Sequence, residues 1–121
     1  MQNQGAIMEN IIETKTFEFA VRIVNLYKYL TIEKKEFVMS KQLLRCGTSI
    51  GANVSEAQKG QTLADFNAKM NIALKEANET LYWLKLLCHT DFITKKEFDN
   101  IEADAKELIA ILVSICKKTN K

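Results

Sequence analysis

Apolar side chains recur at three- and four-residue steps through four successive stretches of this chain, and no proline interrupts any of them. That combination limits the fold more than any other feature, because a period near 3.6 residues builds helices and proline ends them. Only four glycines stand among the 121 residues, so the all-α class follows. A chain of this length suits one domain, with a core large enough to need no disulfide or metal.

Residues 1–13 read as a mobile lead-in and residues 14–118 as a single four-helix domain. The first helix is expected to start near Thr14 to Thr16, either of which suits a cap. At about 100° per residue, Phe17, Phe19, Val21, Ile23, Val24, Leu26 and Leu30 sweep about 220° of its surface. One buried face needs only about 100°. The excess implies a helix covered on two sides, by its own core and by something else.

A second helix is expected from about Glu36 to Lys59, with Gly60 as a left-handed cap. Leu43, Gly47, Ile50, Val54 and Ala57 form its apolar stripe, and Gln42, Arg45, Ser49, Asn53 and Glu56 its polar row. Thr62 to Asp65 resembles a capping box opening a third helix that continues to about Cys88. Thr94 to Glu97 is a complete capping box for a fourth helix reaching about Lys117, whose LIAILV stretch is apolar nearly all round. Four long amphipathic helices on short connections predict an up-down-up-down antiparallel bundle.

Gly47 and Gly51 sit four residues apart inside the second helix, and Ser55 follows four residues later. A phosphate-binding loop needs a lysine and a preceding strand, and a serine-nucleophile turn needs GxSxG; GTSIG meets neither requirement. The ridge Gly47, Gly51, Ser55 instead predicts close approach by a neighbouring helix. Each mid-helix glycine costs about 0.5–1 kcal/mol against alanine, which the packing must offset.

The formal net charge is only +2, from 17 basic and 15 acidic residues. The one clearly basic segment is 37–61, with Lys41, Arg45 and Lys59 against Glu56. Cys46, Cys88 and Cys116 are odd in number, make no CxxC and read as reduced thiols. A lone histidine, His89, excludes the paired Glu-x-x-His ligands of a di-iron bundle, so Glu56, Glu76 and Glu79 read as ion-pair partners. No nucleophile with an identifiable base, no metal set and no cofactor motif emerges. Asn53, Asn67, Asn71 and Asn78 suit either buried polar pairs or exposed sites, and Tyr82-Trp83 reads as packing more readily than as a base-stacking platform. Without a leader pattern or an apolar run long enough for a span, the sequence predicts a cytoplasmic protein with no membrane partner.

LLRCGTSIGANVSEA, followed at its spacing by ADF and then ALKEANETLYWLKLL, resembles the signature of the four-helix-bundle family first noticed as proteins encoded in intervening sequences of bacterial 23S ribosomal RNA genes. The likeness covers about residues 14–117. That family is similar in fold and assembly to the accessory variability determinant of diversity-generating retroelements, a homopentameric barrel of four-helix bundles that binds nucleic acid and a reverse transcriptase. The resemblance therefore implies a ring-shaped homo-oligomer, a pentamer, and implies no catalytic residues; the residues themselves suggest no cofactor or small-molecule substrate.

Two functions follow as expectations. One is a non-enzymatic oligomeric scaffold for RNA, DNA or a nucleic-acid enzyme, with Arg22, Lys41, Arg45, Lys59 and Lys69 from three helices, repeated by ring symmetry, neutralising phosphates. The other is a protein-only adaptor and self-assembly module.

Overall fold

Burial of the apolar stripes draws four helices together. The computed structural model describes residues 4–119, with side chains from residue 10 onward. It shows α1 at Gln4–Ile32, α2 at Met39–Ala57, α3 at Leu63–His89 and α4 at Lys95–Thr119, and no strand among the described residues. Each helix packs on the next in the chain, α4 packs back on α1, and the diagonal pairs do not meet. The result is a four-helix bundle of square cross-section.

Cross-helix pairs set the directions. Lys15 and Arg22 of α1 meet Glu107 and Asp104 of α4, and Arg45 and Glu56 of α2 meet Glu79 and Lys69 of α3. In both cases one number rises as the other falls, so these neighbours run antiparallel. Phe19, Ile23 and Leu30 from α1, Leu43, Ile50 and Val54 from α2, Met70, Leu84 and Leu87 from α3, and Leu108 and Leu112 from α4 fill the interior. Each such side chain contributes about 1.5–3 kcal/mol when fully buried. The stripe read from the sequence on α2 is all buried, as are Phe98, Ile101, Ala105, Leu108 and Leu112 of α4, and within LIAILV the core takes Leu108 and Leu112 and half-buries Ile109 and Ile111.

Three boundaries differ from the sequence reading. Helix α1 begins at Gln4, so residues 4–13 of the expected lead-in are helical, and Ile12 lies in the core. Residues 1–3 of that lead-in lie outside the described residues. Thr16 is no cap: it is buried and donates its hydroxyl to the Ile12 carbonyl at 2.7 Å, a mid-helix habit of threonine. Helix α2 starts at Met39 instead of Glu36, because Glu36 is the capping group, accepting from the backbone N–H of Val38, Met39 and Ser40 at 2.9, 2.8 and 2.7 Å.

Gly60 is the third correction. Helix α2 ends at Ala57 and no glycine has a positive φ. Room is tight there instead: a Cβ would stand 3.2 Å from the Ala57 carbonyl oxygen and 3.2 Å from Asp65 Cβ. The left-handed positions are Lys35 (φ 54°) and Asp91 (φ 68°). Asp91 closes α3 in a Schellman motif, with Phe92 N–H donating to Leu87 O and Asp91 N–H to Cys88 O. At the helix starts, Thr62 accepts from Asp65 N–H, and Thr94 and Glu97 form the reciprocal box.

Candidate functional site

Close approach governs the α1–α2 seam. A Cβ on Gly47 would lie 2.8 Å from both Cγ atoms of Ile23, and one on Gly51 would lie 3.3 Å from the Thr16 carbonyl oxygen. Gly47 is buried, while Ser55, the last of the ridge, is exposed. Gly51 and Ser55 line an open groove of about 360 Å³ on the outer side of this seam, with Ala20, Thr48, Ala52 and Phe17. Phe17 is 71% exposed, and Val21, one turn on, is also exposed. The wide apolar arc of α1 thus divides in two: Phe19, Ile23 and Leu30 enter the core while Phe17 and Val21 face outward.

The five basic candidates do not form one patch. Arg22 lies on the α1–α4 seam, bound to Asp104 and, at 2.8 Å, to Asn100. Arg45 and Lys69 lie on the opposite α2–α3 seam, Arg45 between Glu76 (3.4 Å) and Glu79 (2.8 Å), Lys69 on Glu56 (2.7 Å). Lys41 and Lys59 make no ion pair among the described residues. Only these two are free to meet a phosphate without first leaving a carboxylate.

The Arg45 cluster is the most structured polar group. Burial holds the Glu76 carboxyl above its usual range despite the guanidinium and with Glu79 adding repulsion, while the Arg45 hydrogen bond holds Glu79 below it. Trp83, one turn from Glu79, is half-buried and packs edge-on to an exposed Tyr82 at 5.1 Å. Ser49 and Thr48 donate to the carbonyls of Arg45 and Leu44, and His89 is exposed at the last turn of α3.

Cys46 and Cys116 are buried, which pushes both thiols up, Cys88 is half-buried, and all three are free. Three of the asparagines bond to their own helices, while Asn67 crosses to Thr119 of α4 at 2.6 Å. No cluster of three or more metal-ligating side chains and no helix long and apolar enough to cross a membrane occurs among the described residues.

Sequence reasoning overlooks two surfaces. An open groove of about 440 Å³ lies between α1 and α4, with Leu26, Ile93 and Ile101 below and Arg22, Lys96 and Asn100 at its rim. No sequence signal marks it, because it exists through the register of helices distant in the chain. The α1–α2 turn exposes Phe37 and Val38 beside Lys34 and Lys35. Apolar residues falling between two helical stripes, next to paired lysines, are the signal for that one.

The family model described as 23S rRNA-intervening sequence protein matches residues 8–114. A crystal structure from Bacteroides thetaiotaomicron, of a protein with unknown function from the S23 ribosomal protein family, superposes with a TM-score of 0.90 at 58% identity. The match covers 91% of this chain and 98% of that one. No curated protein matches the chain.

Proposed function

The chain belongs to the 23S rRNA-intervening sequence protein family, and from that premise we propose that it is a non-catalytic, cytoplasmic scaffold that assembles with copies of itself into a ring-shaped homo-oligomer, a pentamer. The supporting observation is the divided apolar arc of α1. A single chain covers one half and leaves Phe17 and Val21 outside, beside a groove of small residues on α2. A head-to-tail contact in which this face of one copy meets a different face of the next closes into a ring when the rotation allows.

Light scattering on the purified protein tests the reading. The expected mass is near five times the 13.8 kDa of one chain. Phe17→Ser with Val21→Ser should lower it while leaving helix content unchanged, since both side chains are exposed. A monomer at every concentration would sink the proposal.

A role as an accessory to RNA, DNA or a nucleic-acid enzyme rests on a narrower base. Lys41 and Lys59 are the unpaired cations of the candidate set, and they stand at opposite ends of α2, about 25 Å apart by helical rise. Ring symmetry would repeat them. Co-purified nucleic acid released by nuclease or by salt, with a steep salt slope, is the result this reading requires; an unchanged ultraviolet absorbance ratio after either treatment counts for the protein-only module.

A further inference from the structure

The α1–α2 connection is short, lies at one end of the bundle, and carries more apolar surface than a turn needs. Ile32, Phe37 and Val38 are 61%, 60% and 76% exposed. Around them stand Lys34 and Lys35 within the turn, Lys28 one helical turn before it and Lys41 just after it, all exposed. Lys28, Lys35 and Lys41 meet no carboxylate at ion-pair distance among the described residues, and the Lys34 ammonium lies 5.9 Å from the centre of the Tyr29 ring.

The acidic groups of the segment do little to offset these charges. Glu36 is buried against three backbone N–H groups, which leaves Glu33 of the segment and Glu97 of the adjoining α4, whose carboxyl feels the Lys34 charge, as the opposing carboxylates. The neighbouring α3–α4 turn is different: it pairs Lys95 with Asp99, folds Glu97 back onto Thr94, and sets Lys95 and Lys96 against Asp91, Glu97 and Asp99. The basic collar belongs to one turn.

We propose that this turn docks on an anionic lipid surface, with Ile32, Phe37 and Val38 entering the interfacial layer and the lysines lying among acidic head groups. An apolar tip inside a lysine collar is the complement of that layer, which is apolar a few ångströms below a negative plane. A nucleic acid would satisfy the lysines but offer Ile32 and Val38 nothing, since aliphatic side chains are no stacking platform. The contact is with the surface, consistent with the absence of a spanning helix among the described residues, and it departs from the sequence-based expectation of no membrane partner.

Co-sedimentation of the full chain with vesicles tests it. Binding is expected to vesicles of phosphatidylcholine containing about one-third phosphatidylserine and not to phosphatidylcholine alone. Phe37→Ser with Val38→Ser should weaken it by about tenfold or more, and Lys34→Gln and Lys41→Gln by about fivefold each. Leu63→Ser removes a side chain 63% exposed at the other end of the bundle and should change nothing. No binding to the anionic vesicles, equal binding to neutral ones, an unaffected Phe37/Val38 variant, or an equal loss in Leu63→Ser would each overturn the proposal. A lower solution mass for the Phe37/Val38 variant would also overturn it, assigning the turn to contacts between copies; circular dichroism verifies that each variant stays helical.

Discussion

Glu36 shows how much one side chain can decide. Its carboxylate is buried, which pushes its pKa up, yet backbone N–H groups of Ser40, Met39 and Val38 outweigh burial and hold it below the usual carboxylate range. A group with a lowered pKa adds stability that is complete above its ordinary range and fades as the pH falls through the lowered value. Glu36→Gln should therefore cost about 1–2 kcal/mol at neutral pH, and the gap to the unmutated protein should close in acid. Denaturant titrations at several pH values measure it. Asp91 offers the opposite case: it holds φ 68° without the freedom of glycine, so Asp91→Gly should raise stability by about 0.5–1 kcal/mol, read as a higher melting temperature.

Between elements, the α1–α2 seam depends on an absent atom. Gly47→Ala should destabilise by about 1–3 kcal/mol despite alanine's better helix propensity, because the new Cβ meets the branched Cγ atoms of Ile23. In an Ile23→Ala background the same change should cost less, and a double-mutant cycle reads the difference as coupling. This contact was legible, since a four-residue glycine spacing states its own packing requirement. The openings of α3 and α4 were legible for a related reason: Thr62 and Thr94 bond within three residues, so the partners lie in one short window. The start of α1 was not, because Thr16 serves its own helix in a way that looks like a cap on paper. Nor were the ion pairs, since Arg22 and Asp104 meet only after helices far apart in the chain settle their register.

Across the whole molecule the four seams are unequal. The α2–α3 seam is the most extensive and the α1–α4 seam the thinnest, the latter tied by half-exposed pairs, Lys15–Glu107 and Arg22–Asp104. Local opening follows the weakest packing. In native-state hydrogen exchange the slowest core amides should fall in α2 and α3, with those of α1 and α4 exchanging through a smaller opening. Uniform protection across all four helices would contradict this ranking.

The order of those seams also sets how the chain reaches its fold. Three of the four join helices that follow one another, so each closes over a turn of a few residues, at low entropic cost. Only α1 against α4 requires distant parts of the chain to meet, and no proline is present to add a slow isomerisation. Refolding of the single chain should thus be fast and limited by that last closure, which leaves any slow, concentration-dependent phase to be the joining of one copy to another.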